Sequence, residues 1–148
     1  MKTEDLLFFA AMSNDIYRRP WNYEGKTYVT DRAIILVLPE VGGIVPHKYP
    51  QIAAEVAKCV KGYERLSPLY PLPTLPVPAN FCEDCVQWYY ASQPIEWGGM
   101  DIDAKYIFKL YTLPNCRLSK TGKYEPHHFT FDGGEGWLMP LKEVFHDL

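Results

Sequence analysis

Two cysteines of the stretch CEDC, Cys82 and Cys85, have the spacing with which two thiolates can hold one zinc ion. A closed tetrahedral site needs two more ligands, and the remaining candidates, Cys116, His127 and His128, form no second tight pair. A redox role would require a βαβ context, which the surrounding residues do not indicate. The pattern therefore favours two free thiols over a zinc site, and neither a metal nor a cofactor is predicted.

The carboxylates and histidines offer little for catalysis. Asp101 and Asp103 are most simply interpreted as a turn and a helix N-cap. His127 and His128 alternate along a predicted strand, so one side chain should point inward and one outward. A nucleophile pair of Cys82 and His128 is an alternative, but four cysteines and four histidines offer many such pairs. The sequence therefore predicts no enzyme.

Three glycines, Gly133, Gly134 and Gly136, could indicate a loop that binds phosphate. Such a loop needs a helix N-terminus behind it, and in common nucleotide-binding motifs a lysine follows. Here the following residues read as a strand that ends at Pro140. Asp132 and Gly133 are instead a strong signal for a hairpin turn. The stretch therefore predicts a β-hairpin.

Two predicted helices carry basic faces that could contact phosphates. The first runs from Gln51 to Arg65, and the second follows Asp103 and ends before Pro114. The candidates for DNA contact are Lys58, Lys61 and Arg65 on the first helix and Lys105 and Lys109 on the second. The apolar face of the second helix is predicted to comprise Ala104, Ile107, Phe108 and Tyr111. A solvated lysine face is the simpler interpretation for each helix alone.

Composition restricts the classes of protein. The chain has 148 residues, about one domain, and a net charge of −3, so the molecule as a whole does not attract nucleic acid. The longest apolar run, Leu6 to Met12, is too short to span a bilayer, and no signal-peptide pattern precedes it. We therefore expect a cytoplasmic protein whose cysteines are mostly reduced.

The aromatic residues favour contacts with a protein partner. The chain holds 11 Tyr, 7 Phe and 4 Trp, enough for a core and for exposed aromatic surface. Aromatic residues often anchor protein interfaces. The candidates are Trp88, Tyr89, Tyr90 and Trp97, with Trp21 also expected to be exposed. A proline-rich connector at 67–79 should run extended over the surface, and its PxxP spacings are of the kind that some adaptor grooves bind.

Local signals predict several further elements. Thr3 should cap a short helix that ends near Ser13. A turn at Glu24 and Gly25 should join two strands, and a strand should run from Ala33 to Leu38. The last strands should lie near 127–131 and 137–141.

Four stretches, taken in order, resemble a domain of the bacterial DNA polymerase sliding clamp. They are YVTDRAIILVLP, KYPQI, DIDAKYIFKLYTLPNCRL and FDGGEGWLMPL. The first resembles a strand–turn–strand with a TDG-type turn, in which Arg32 replaces the expected glycine. The last resembles the terminal hairpin that ends in Met-Pro. The order is similar to that of single-domain clamp-like proteins of phages and prophages, in which a CxxC insertion precedes a segment like WGGMDIDAKY.

The resemblance implies one α+β, sliding-clamp-like domain over residues 1–148, with antiparallel sheets and two or three helices packed on one face. It implies a CxxC-containing insertion around 80–98. The helices at 3–13 and 103–113 would line a ring around DNA, with Lys105 and Lys109 facing the DNA. The resemblance also allows a homo-oligomer, since six such domains could close a ring.

The expected function is that of a non-enzymatic accessory protein of phage or prophage origin. It would contact the replication machinery, or DNA weakly and without sequence preference. The alternative is a protein-interaction module that binds a host factor and has no DNA role.

Overall fold

The computed structural model of the protein describes residues 1–63, 67–75, 93–121 and 125–141. These residues form three helices and nine strands. The helices are α1 (Thr3–Leu7), α2 (Pro50–Tyr63) and α3 (Ala104–Leu110). The strands are β1 (Trp21–Tyr23), β2 (Lys26–Thr30), β3 (Ile34–Pro39), β4 (Leu69–Pro71), β5 (Pro94–Trp97), β6 (Met100–Asp103), β7 (Arg117–Ser119), β8 (His127–Phe131) and β9 (Gly134–Leu138).

Seven strands form one antiparallel sheet in the order β1-β2-β3-β9-β8-β7-β4, and β5 pairs with β6 in a separate hairpin. Residues 34–38 of β3 are all buried. They alternate between two hydrophobic cores because successive strand residues point to opposite faces. Ile34 and Leu36 join the first core, and Ile35 and Val37 join the second. The predicted α+β class with antiparallel sheets is confirmed.

The helices cover both faces of the large sheet. α1 and α3 contribute Leu6 and Ile107 to the first core, together with Ile102 of the β5–β6 hairpin. α2 packs on the opposite face through Val56 and Val60. The prediction that two or three helices share one face therefore holds for α1 and α3 and is wrong for α2. A central strand that is apolar on both sides requires a covering layer on each side.

Both predicted hairpin turns are present. Glu24 and Gly25 join β1 to β2 with φ angles of 47° and 80°, as a tight two-residue turn requires. Asp132 and Gly133 join β8 to β9, which confirms the hairpin interpretation of the glycine-rich stretch. Gly136 has a packing role, because a Cβ atom there would overlap the Ile35 carbonyl oxygen.

The ends of the helices differ in part from expectation. α1 ends at Leu7 and has Lys2 at its N-cap, so the predicted cap at Thr3 and the predicted end near Ser13 are wrong. The chain turns there instead, and the Ala11 N–H donates to the Tyr17 carbonyl at 3.0 Å. α2 lies close to its predicted bounds. At α3 the predicted cap is confirmed, since the carboxylate of Asp103 accepts the Lys105 N–H at 2.9 Å.

Tyr111 was expected on the apolar face of α3, and this prediction is wrong. The residue follows the end of the helix and is 51% exposed. Its hydroxyl donates to the Pro73 carbonyl at 2.7 Å, which fastens the proline-rich segment to the fold. That segment supplies β4, an edge strand, as its prolines require. The remainder of the predicted connector, 76–79, and residues 80–92 of the predicted insertion lie outside the described residues.

Candidate interaction surface

Lys109, a predicted DNA contact, is half-buried and makes contacts within the fold. Its Nζ donates to the Phe8 carbonyl at 2.9 Å and lies 4.9 Å from the centre of the Phe8 ring. Burial lowers the pKa of the Lys109 ammonium. The lysine therefore joins α3 to the end of α1, and its contact with DNA stays a prediction.

Lys105 is half-buried beside the same cluster. Its Nζ lies 4.9 Å from the centre of the Tyr106 ring. The Tyr106 hydroxyl donates to one carboxylate oxygen of Asp31, and the other oxygen accepts the N–H groups of Ala33 at 2.8 Å and Ile34 at 3.0 Å. Burial and the neighbouring Asp31 charge both raise the pKa of Tyr106. This cluster fastens α3 to the turn between β2 and β3.

The predicted DNA contacts do not come together on one surface. Lys58 and Lys61 are exposed on α2, on the opposite face of the sheet from α3. Arg65 lies outside the described residues. The two basic helix faces are thus separated by the sheet, and the lysines of α3 are the less accessible of the two pairs.

The predicted aromatic surface is only in part within the described residues. Trp97 is 7% exposed and donates its indole N–H to the Ser119 carbonyl at 2.7 Å. Trp21 is 1% exposed and stacks on Tyr28 with a centroid distance of 5.9 Å. The expectation that these two tryptophans are exposed is wrong, because each packs into a core of the sheet. Trp88, Tyr89 and Tyr90 lie outside the described residues.

Thiol chemistry gains no support from the described residues. Cys82 and Cys85 lie outside them. Burial raises the pKa of the Cys116 thiol to about 12, so at neutral pH it carries almost no thiolate, the form that reacts and binds metal. In the parts of the chain that the structure describes, no group of three or more His, Cys, Asp or Glu side chains could hold a metal ion.

The two neighbouring histidines point to opposite faces, as predicted. His127 is fully buried, and burial lowers its pKa. His128 is partly exposed, and its Nε2 lies 2.9 Å from a carboxylate oxygen of Glu135. This contact with His128 lowers the pKa of Glu135. His127 Nδ1 lies 3.2 Å from the Thr121 hydroxyl and 3.2 Å from the Ser119 carbonyl.

A groove of about 440 Å³ opens at the N-terminal end of the molecule, and we call it the N-terminal groove. Its apolar lining comes from Leu7, Met12, Ile44 and Val45, and its basic lining from Arg18 and Arg19. Met12 and Val45 are 63% and 68% exposed. Exposed apolar side chains that share one concave surface are typical of an interaction site.

Asn22 of β1 holds one wall of the groove in place. Its side-chain amide donates to the carbonyls of Val41 at 3.0 Å and Ile44 at 2.9 Å. Its backbone N–H donates to the Val45 carbonyl at 3.2 Å. Three hydrogen bonds from one residue therefore fix the loop that presents Ile44 and Val45.

Asn14 shapes the opposite wall. Its side-chain oxygen accepts the N–H groups of Ile16 at 2.8 Å and Tyr17 at 3.1 Å. Tyr17 is buried in the second core and anchors the segment that carries Arg18 and Arg19. The two arginines therefore project from a fixed turn.

His47 connects the two walls. One ring nitrogen, Nε2, lies 2.8 Å from the Ile16 carbonyl, and the other, Nδ1, accepts the Tyr49 N–H at 2.8 Å. Because Nδ1 is an acceptor, Nε2 carries the proton and donates to Ile16. The ring also packs edge-on against Trp21 at a centroid distance of 4.9 Å. The groove is therefore largely formed before any ligand arrives.

Charge at the groove has one sign. Arg18 and Arg19 are exposed, and among the described residues neither has a hydrogen-bond or ion-pair partner. The described residues that line the groove include no acidic side chain. Sequence reasoning missed this site. The available signal was the apolar pair Ile44 and Val45, which stands between two glycines and Pro46. Such a stretch is typical of a loop, so these two side chains did not have to be buried in the core.

No protein-family model, curated protein or solved structure matches this chain. Within the described parts of the chain, no helix combines the length and apolar character needed to cross a membrane.

Proposed function

We propose that this protein is a non-enzymatic interaction module that docks a segment of a partner protein in the N-terminal groove. The observation that carries the proposal is the exposure of Met12 and Val45 on a concave surface with walls fixed by hydrogen bonds. Exposed apolar area in water is unfavourable, and covering it on binding provides a driving force. A groove that is already formed loses little conformational entropy when a partner binds.

Electrostatics supports a protein partner over DNA as the main ligand. The net charge of −3 gives the molecule as a whole no attraction for an extended polyanion such as DNA, whereas a short peptide responds mainly to the charges close to it. Lys109 is half-buried and donates to the Phe8 carbonyl, so this cation of α3 is less available to phosphate than an unpaired one would be. Arg18 and Arg19 could bind phosphate as well as carboxylate, but the apolar lining beside them matches apolar side chains of a protein.

Site-specific photo-crosslinking tests this function. A benzoylphenylalanine placed at Val45 should form a discrete adduct with a protein in a lysate of the organism that encodes the chain. The same probe at Lys58, on α2, is the matched control and should not form this adduct. The substitution Met12→Asp should abolish the adduct from position 45. An adduct that forms equally from both positions, or survives Met12→Asp, contradicts the proposal.

A second candidate is a clamp-fold accessory protein that contacts DNA or the replication machinery. Two observations favour it. Lys58 and Lys61 are exposed on α2. Arg32 adopts a φ of 78°, the left-handed conformation that the glycine of a TDG-type turn would take.

DNA retention at low salt distinguishes the second candidate. The double variant Lys58→Glu/Lys61→Glu should then lose retention, and retention of the parent protein should fall steeply as salt rises. Light scattering should also show a ring-sized oligomer. Retention that is equal in the parent protein and the variant would exclude α2 as the DNA contact.

A further inference from the structure

We propose that the partner segment in the N-terminal groove is a short acidic peptide, with apolar side chains that enter the groove and carboxylates that bind Arg18 and Arg19. This inference rests on the proposed function and specifies the chemistry of its partner. It follows from three features of the groove. They are its size, its apolar lining, which we call the floor, and its two arginines, which we call the rim.

The size of the groove favours a short segment. Its volume of about 440 Å³ is that of a pocket for a small ligand, roughly 300–1,000 Å³. Such a volume accepts a few side chains of a peptide. It is small compared with the extended surface that two folded domains bury when they associate.

The floor of the groove favours apolar side chains of varied shape. Met12 and Val45 are its most exposed members, and Leu7 and Ile44 are partly buried. Methionine is flexible and polarisable, so it adapts to different partners and is common at peptide-binding surfaces. The floor therefore supports recognition of leucine-like or aromatic side chains more than of one fixed shape.

The rim of the groove selects the charge of the peptide. Arg18 and Arg19 have no partner among the described residues, and no acidic side chain of those residues lines the groove. A guanidinium can bind a carboxylate through two parallel hydrogen bonds, which gives direction as well as attraction. A basic peptide would place like charges together at this rim, so the groove discriminates against it.

Fluorescence anisotropy tests the inference with two labelled octapeptides. In the first, leucines alternate with aspartates, and in the second, lysines replace all the aspartates. The first peptide should bind the protein, and the second should bind at least about tenfold more weakly. Affinity for the first should fall as salt rises, because the rim contacts are exposed.

Charge reversal at the rim provides the matched variants. Arg18→Glu/Arg19→Glu should weaken binding of the acidic peptide by about tenfold or more and should improve binding of the basic one. Lys58→Glu/Lys61→Glu changes the net charge equally but lies outside the groove lining, so it should leave the affinity for the acidic peptide within about twofold. Thermal unfolding should show that all variants remain folded.

The outcomes separate this inference from the proposed function. If both peptides bind equally and the rim variant changes neither affinity, the acidic partner is excluded while the groove remains a docking site. If neither peptide binds at millimolar concentration but the crosslink from position 45 persists, the partner is not a short acidic segment. If a single-stranded oligonucleotide displaces the acidic peptide through Arg18 and Arg19, the rim serves nucleic acid and the inference is wrong.

Discussion

Lys109 on α3 and Arg18 on the groove rim are both cations, and the fold treats them in opposite ways. The ammonium of Lys109 donates to the Phe8 carbonyl and lies over two aromatic rings. The guanidinium of Arg18 is exposed and has no partner among the described residues. A cation is available to a ligand only where its N–H groups have no hydrogen-bond partner in the protein and are exposed to solvent.

Reversing the charge of Lys109 and of Arg18 in separate variants tests most directly whether the two cations have different roles. Lys109→Glu should lower the free energy of unfolding by about 3 kcal/mol, because it places a carboxylate against a carbonyl oxygen and near Asp31 in a partly desolvated site. Arg18→Glu should change it by no more than about 0.5 kcal/mol, as is usual for exposed positions. Urea denaturation measures both.

Equal stability of the two variants would contradict the different roles assigned to Lys109 and Arg18. The result also bears on any DNA-binding test that uses Lys105→Glu/Lys109→Glu. Loss of retention in that variant would report unfolding unless folding is checked in parallel. Lys58→Glu/Lys61→Glu avoids this difficulty, since both lysines are exposed.

The second prediction concerns the contact that positions α3. Tyr106→Phe removes the hydroxyl that donates to Asp31 and leaves a partly buried carboxylate with one partner fewer. The free energy of unfolding should fall by about 2 kcal/mol, in the range for hydrogen bonds to charged groups. Tyr111→Phe is the matched control, because Tyr111 is half exposed and its hydroxyl donates to an uncharged carbonyl, so the change should cost clearly less. Similar losses in the two variants would show that the Asp31 contact contributes nothing special.

The third prediction applies the same contrast to His127 and His128. Burial lowers the pKa of His127 below its ordinary value of 6.5. The unfolded chain therefore binds more protons than the folded protein just below that pH. The contribution of neutral His127 to the free energy of unfolding is therefore fully present above about pH 6.5. It is lost as the pH falls toward the pKa of His127 in the folded protein. The slope can reach about 1.4 kcal/mol per pH unit.

Chemical denaturation at intervals from pH 7 to pH 5 measures this loss. His127→Gln removes the titrating group and should flatten the dependence over this range. His128→Gln should retain it, because His128 is partly exposed beside Glu135. An unchanged pH dependence in His127→Gln would show that another group governs the response to acid.

Features that depend on neighbouring residues were predictable from the sequence. The turns at Glu24–Gly25 and Asp132–Gly133 follow from local backbone preferences, and α2 follows from a long apolar repeat. The Asp103 cap involves a partner only two positions away. Each of these elements is specified largely within its own segment.

Features that depend on distant contacts were not predictable in this way. Phe8 and Lys109 are separated by 101 positions, and no local pattern in either segment indicates that they meet. Trp97 is buried because the β5–β6 hairpin brings it to Ser119. The N-terminal groove is formed by loops together with residues of α1, and loops have no periodic pattern, so the apolar pair Ile44 and Val45 was the signal that the sequence offered for it.

The substitution with the smallest expected effect is at Arg32. This cation is intermediate between Lys109, which is engaged within the fold, and Arg18, which is exposed and has no partner among the described residues. Its φ of 78° is unfavourable for a residue with a side chain, and its Nε is buried without a hydrogen-bond partner among the described residues. Its charge opposes the rise that burial causes in the pKa of Tyr17, so it does interact with its surroundings. Arg32→Gly should relieve the backbone and remove the unsatisfied Nε. The greater freedom of glycine in the unfolded chain offsets part of this gain. We therefore expect a net stabilisation of about 0.5 kcal/mol, measured by urea denaturation. A loss of stability would mean that the guanidinium is engaged like Lys109, and the turn would then depend on its side chain despite the strained backbone.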